Sequence, residues 1–275
     1  MTTTDRVQLD IEENIAYVTL NRPDKHNGLD EEMLLSLIHT ARTIRKDRSI
    51  RCVILQGNGP SFCAGLDFGY VAKHPIMVPK YFAKLPWTKA NNFQRVAHIW
   101  RELPIPVIAV IHGNCFGGGM QIILACDYRI AEPDANLSIL EMKWGLIPDM
   151  SGMVTLSRLT RVDIAQELTM TGRFFSGQEG AEYGLISKIS ADPLAEAREL
   201  ARTICEKSPD AIAATKYLFK KTWKKDTRMA LLWERLTQLR LFASKNQRIA
   251  MHNALNKDNE PKAFKNRKSF TGFSS

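Results

Sequence analysis

Short runs rich in Val and Ile alternate with helical stretches over the first two-thirds of the chain. IAYVTL (15–20), CVILQG (52–57), PVIAVI (106–111) and YRIA (128–131) read as strands. Between the first two, DEEMLLSLIHTARTIRKD (30–47) reads as a helix. Asp30 stands where an N-cap belongs, and Lys and Arg cluster near the end, where they suit the helix dipole. Such alternation predicts an α/β layered core. Beyond about residue 193 the strand signals stop and the chain reads as helical. There Leu232, Leu236, Leu239 and Ala243 recur at helical spacing, a stripe for core or for a subunit interface. This divides the chain into residues 1–192 and 193–275.

Three segments carry chemistry. SFCAGLDF (61–68) follows a strand and the turn-like GNGP. HGNCFGGGMQIILACDYRIA (112–131) follows PVIAVI, and its triple glycine opens a helix. Free N–H groups at a helix start, with the positive dipole end, suit an anion or a developing oxyanion. Close helix–strand packing would also call for glycine there. The segment lacks both the GK[ST] ending of a phosphate loop and GxGxxG spacing. The third segment, LSILEMKWGLIPDMSGMVTLSRL (137–159), holds Glu141 and Asp149 among apolar neighbours. Carboxyls in such surroundings can separate their pKa values and share acid–base work. The alternative is structural, with Asp149 capping a helix near Ser151 and Glu141 pairing with Lys143 or an arginine. Residues 68–96 mix three prolines with Phe68, Tyr70, Tyr81, Phe82, Trp87 and Phe93, as a binding lid or a loop excursion does.

Charge is uneven. Residues 211–275 hold 15 Lys and Arg against 4 Asp and Glu, so a polyanionic partner would meet the C-terminal quarter. The five cysteines are scattered without a CxxC pair, which points to buried thiols in a reducing compartment and not to disulfides or a metal. No apolar run reaches the roughly 18 residues of a membrane span. The N-terminal MTTTDRVQLDIEEN carries no secretory or organellar pattern, and the C-terminal TGFSS is no peroxisomal address. A cytoplasmic protein without membrane or nucleic-acid partners is expected.

Taken in order, NRPDKHNGLD (21–30), FCAGLDF, PVIAVIHGNCFGGGMQI, ACDYRIA, EMKWGLIPDMSG and TGRFFSGQEGAEYGLI (171–186) closely resemble the crotonase superfamily, the enoyl-CoA hydratases and isomerases. The resemblance covers residues 10–190 and continues more loosely to the AFKNRKSFTG tail. It implies an α/β spiral of ββα turns with a C-terminal helical trimerisation region, assembled as a homotrimer or hexamer. It implies an acyl-CoA substrate, with coenzyme A as part of that substrate and no separate cofactor or metal. By motif position, the oxyanion hole would use the backbone amides of Leu66 and Gly118. Ala64, Gly65 and Leu66 would border coenzyme A, and Lys265, Arg267 and Lys268 would approach its phosphates.

The chain departs from the hydratase pattern at one place. Hydratases resemble each other in a glutamate after the GGG motif and a second one downstream. Here those positions hold Gln121 and Glu141. An amide cannot transfer a proton as a carboxylate does. Asp149, eight residues past Glu141, resembles the pair of dienoyl-CoA isomerases, although those also carry Asp where Gln121 stands. Hydroxyacyl-CoA hydrolases show a similar pair. The resemblance therefore implies double-bond migration by Glu141 and Asp149, with Gln121 as a polar orienting group. Hydration and thioester hydrolysis are the alternatives, and a non-catalytic CoA-binding role is a further one that the retained glycine motifs and acids argue against.

Overall fold

The Val/Ile-rich runs build one sheet, because β-branched side chains fill both of its buried faces. The computed structural model describes residues 6–84, 86–242, 244–256 and 260–268. MTTTD, Ala243 and TGFSS therefore lie outside the described residues. The elements run β1 (Val7–Glu12), β2 (Ile15–Leu20), α1 (Glu31–Lys46), β3 (Cys52–Gly57), β4 (Ser61–Cys63), α2 (Phe68–Lys73), α3 (Met77–Phe82), α4 (Asn92–Glu102), β5 (Val107–Ile111), β6 (Asn114–Phe116), α5 (Gly118–Leu124), β7 (Tyr128–Ala131) and β8 (Asn136–Ser138). A 3₁₀ turn at Leu140–Trp144 leads to α6 (Gly152–Leu159), α7 (Val162–Thr171), β9 (Phe175–Ser176), α8 (Gly177–Glu182), β10 (Lys188–Ile189), α9 (Pro193–Cys205), α10 (Pro209–Thr222), α11 (Thr227–Phe242) and α12 (Lys245–Leu255).

The large sheet has the order β1-β2-β3-β5-β7-β10, antiparallel at β1–β2 and parallel thereafter. A small sheet has the order β4-β6-β8-β9, parallel until its last pair. Successive turns thus give one strand to each sheet and then a helix, a spiral of ββα units. One core lies between the large sheet and the helices α1, α4 and α5. The other face buries Ile15, Ile54, Ile108 and Ile130 under Ala197 and Ala201 of α9. The strand pattern does end near residue 190, but α9 still belongs to the layered core.

Asp30 caps α1, accepting from the Met33 amide at 2.8 Å. The aromatic segment is not a loop. Asp67 caps α2 through the Tyr70 amide at 2.9 Å, and α3 tolerates Pro79 because it falls in the first turn. Tyr81 packs fully buried beneath this pair of helices.

On α11, Leu232 and Leu236 are half-buried, whereas Leu239 is exposed. The stripe therefore covers the chain's own core only in part. Trp223, Leu231, Leu239 and Phe242 leave large apolar surfaces in solvent. No described helix is long and apolar enough to cross a membrane.

Candidate active site

Register brings the three motifs together. Ser61, Asn114 and Asn136 are partners across the small sheet, as are Cys63, Cys115 and Leu137. Strands β4, β6 and β8 therefore end side by side. Their next residues, Ala64–Leu66, Gly117–Gly118 and Ile139–Glu141, leave one edge at the strands' carboxyl ends. In parallel sheets this is where ligands bind.

The edge opens into a cavity of about 390 Å³. Ala64, Gly65, Leu66, Gly117 and Gly118 form its floor, and Glu141 and Asp149 enter from one wall. Phe68, Val71, Val78, Phe82 and Phe93 form the opposite wall, with Trp144, Leu146 and Ile147 at the rim. The aromatic segment is thus part of the binding wall. Phe68 and Trp144 stack at 4.1 Å between ring centroids and tie the two walls together.

The floor is built for close approach. Gly65 has φ of +87°, and a Cβ there would lie 2.9 Å from Phe116 O and 3.5 Å from Gly118 N. This sets the Leu66 and Gly118 segments against each other. The Leu29–Leu66 bridge bonds Leu29 N–H to Gly65 O and Asp67 N–H to Leu29 O. Both bonds skip the Leu66 amide. Gly118 is the first residue of α5, where N–H groups have no helical acceptor. Gly117, at φ +48°, makes the turn. Gly119 has the packing role, since a Cβ there would meet Cys63 O at 2.6 Å. Gly118 meets both readings, since a Cβ there would also lie 2.9 Å from Leu29 Cδ1 and 3.0 Å from Met150 Sδ.

The loop carrying Leu66 is fastened by contacts that the sequence did not announce. Arg22 donates through Nη1 to Asp67 Oδ2 at 2.8 Å and to Gly28 O at 2.9 Å. Asn27, fully buried, donates to the carbonyls of Asn58, Ser61 and Phe62. The NRPDKHNG segment therefore acts as a clamp on β4 and its exit. Its signal was the Arg–Pro and Asn–Gly turn chemistry, with His26 and Asn27 at positive φ.

The acids are not structural caps. Ser151, in the left-handed region, is the N-cap of α6, and its own side chain makes no capping bond. Glu141 pairs with neither Lys143 nor an arginine. It accepts from Gln121 Nε2 at 2.6 Å, and Gln121 Oε1 accepts from the Gly152 amide at 3.0 Å. Glu141 Oε2 is buried without a hydrogen-bond partner among the described residues. Burial pushes the Glu141 carboxyl above its ordinary range; Gln121 counters this and the Asp149 charge adds to it. Burial also raises Asp149.

The basic tail residues lie elsewhere. Lys265 N–H donates to Asn246 Oδ1 and Lys268 N–H to Asp210 Oδ1, so the tail packs on α10 and α12. Lys265 and Lys268 are exposed; Arg267 is buried, with Nε and Nη2 lacking a hydrogen-bond partner among the described residues. None of the three lines the cavity. Among the described residues no cluster of His, Cys, Asp or Glu is arranged to hold a metal ion.

A ββα spiral with its cavity at the carboxyl ends of the small sheet is the crotonase fold. The chain matches the enoyl-CoA hydratase/isomerase family over residues 10–266. It is 32% identical to the hydroxycinnamoyl-CoA hydratase-lyase of Pseudomonas fluorescens, over 88% of either chain. It is 32% identical to the mitochondrial Δ(3,5)-Δ(2,4)-dienoyl-CoA isomerase of Dictyostelium discoideum, over 78% of this chain and 76% of the relative. The crystal structure of an enoyl-CoA hydratase from Bacillus anthracis superposes with a TM-score of 0.85 at 28% identity, covering 94% of this chain and 98% of the other. The chain belongs to the enoyl-CoA hydratase/isomerase family, within the crotonase superfamily, and is an enzyme of that family.

Proposed function

We propose that this enzyme shifts a double bond in an enoyl- or dienoyl-CoA through a thioester enolate. The observation that carries this reading is the Gln121–Glu141 contact. One position of the two-glutamate water site holds an amide, fixed by the Gly152 amide and unable to titrate. Glu141 Oε2 is the one oxygen of that pair left to take a proton.

In this mechanism the thioester carbonyl lies between the Leu66 and Gly118 amides. Glu141 removes a proton from C2 of a 3-enoyl thioester, and the C–H electron pair moves onto the carbonyl oxygen. The two amides and the start of α5 stabilise that oxyanion. Collapse of the enolate forms the C2–C3 double bond as C4 takes a proton. Asp149 serves the far end of a conjugated dienoyl system, and Glu141 alone serves a simple enoyl one. The apolar walls exclude water, which keeps the enolate from side reactions.

Reversible hydration is the second reading. It is supported by the hydroxycinnamoyl-CoA hydratase-lyase and by the (E)-benzylidenesuccinyl-CoA hydratase of Thauera aromatica among the relatives. Water would then sit between Glu141 and Asp149. Incubation with 2-enoyl-, 3-enoyl-, 3,5-dienoyl- and 3-hydroxyacyl-CoA, read by mass spectrometry, separates the outcomes. Isomerisation leaves the mass unchanged, hydration adds one water, and hydrolysis frees coenzyme A. Mass-neutral conversion of the 3-enoyl or dienoyl thioester is expected.

A further inference from the structure

Helix α5 starts at the catalytic cavity, α6 follows Asp149 and Met150 of its wall, and both end at a second cavity of about 400 Å³. Basic residues from three helix ends line it: Arg101 from α4, Arg158 from α6 and Lys220 from α10. Two further cations there are already satisfied. Arg129 donates to Leu185 O, Cys126 O and Ser187 Oγ, and Lys216 pairs with Asp127 at 2.5 Å. Arg101, Arg158 and Lys220 have no ion pair or hydrogen bond among the described residues. The nearby acids are committed elsewhere, Asp127 to Lys216 and Glu102 to Arg45 and His98.

A cation near a helix C-terminus is favoured by the dipole, which explains each of the three singly. It does not explain their convergence on one hollow. Burial lowers the Arg101 pKa and the neighbouring Arg158 charge lowers it further, so these guanidinia oppose one another. Like charges held together in a half-buried cavity call for a counter-ion. Phe219 and Trp223, mostly exposed and 5.4 Å apart between ring centroids, add an apolar rim.

We infer that this second cavity binds a small molecule with phosphate or carboxylate oxyanions, held by Arg101, Arg158 and Lys220, with its apolar part against Phe219 and Trp223. Guanidinium forks suit both groups through paired, charge-assisted hydrogen bonds. The site is separate from the acyl-CoA cavity and does not depend on which reaction occurs there.

The test uses the full chain with pyrophosphate and, separately, citrate, in thermal denaturation and titration calorimetry. Sodium chloride of matched ionic strength is the control. Saturable stabilisation by one anion or both is expected, and which one acts distinguishes phosphate from carboxylate recognition. It should persist in saturating coenzyme A. Arg101→Gln, Arg158→Gln and Lys220→Met should each weaken binding by roughly tenfold or more, the scale of one lost charge-assisted contact. Thioester turnover without the anion should be unchanged. Equal stabilisation by chloride, loss of the effect in coenzyme A, or wild-type affinity in all three variants would overturn the site. So would a change of assembly size in Arg158→Gln without any anion binding to the wild type, because the cations would then be meeting carboxylates of a second copy.

Discussion

Gln121 donates to Glu141 Oε1 at 2.6 Å while accepting the Gly152 amide at 3.0 Å. Its backbone donor settles which end of the carboxamide is which, so the NH₂ group must face Glu141. One carboxylate oxygen is thereby held and the other is left to act. In this account the amide positions the base and takes no proton. Glu141→Gln keeps size and hydrogen bonding but removes proton transfer. Turnover should fall by about 10²–10⁴-fold, the usual scale for a general base. Steady-state kinetics with unchanged coenzyme A affinity checks this.

Gln121→Glu would set a second carboxyl against Glu141 at hydrogen-bond distance. Two such groups share a proton, which raises one pKa further. The acid limb of the pH–rate profile should move upward, and water addition to 2-enoyl-CoA should rise above the wild-type level. An unchanged profile would mean that Gln121 does not govern Glu141.

The floor of the cavity can be tested through one amide. Gly118→Pro removes the N–H at the first helical position, where the backbone suits proline but the ring must push aside the Leu29 and Met150 side chains, which a Cβ there would meet at 2.9 and 3.0 Å. Loss of one oxyanion donor should lower turnover by about 10²–10³-fold. Coenzyme A binding, measured by calorimetry, should change far less.

The two acids have a stability signature. Both carboxyls are raised, chiefly by burial, so the folded state holds their protons more tightly than the unfolded chain does. Their contribution is present below the ordinary carboxyl values, 4.5 for Glu and 3.8 for Asp, and is lost as pH rises through the raised ones. Glu141→Gln and Asp149→Asn should therefore raise Tm at neutral pH. The gain should shrink toward about pH 4, where the wild-type groups are protonated. Thermal scans across pH measure both.

Exposed Leu231, Leu239 and Phe242 fit an assembly in which the last helices are covered. A trimer or a dimer of trimers is expected in multi-angle light scattering at micromolar concentration. A monomer there would contradict it.

The fold was readable because its strands are buried on both faces and so appear as unbroken apolar runs. The short strands of the small sheet were not. Ser61–Cys63 and Asn114–Phe116 span three residues each and carry no periodicity, yet their register brings the motifs together. Glu141 and Asp149 stood out as carboxyls among apolar residues, Leu66 and Gly118 were named through motif resemblance, and all four line one cavity. The Arg22–Asp67 clamp was missed because its partners are 45 residues apart. The tail cations were singled out by the family resemblance of the tail together with its charge. Charge counts do not register that the Lys265 and Lys268 backbone amides tie the tail to Asn246 and Asp210.

In the proposed mechanism Glu141 moves a proton within the substrate and does not add water across it. Incubating 3-enoyl-CoA with the enzyme in D₂O and weighing the product by mass spectrometry tests this most directly. The expected product is a 2-enoyl-CoA of unchanged heavy-atom composition, carrying deuterium only to the extent that Glu141 exchanges with solvent, with formation lost in Glu141→Gln. A hydrated product formed directly, free coenzyme A, or wild-type conversion by Glu141→Gln would contradict it.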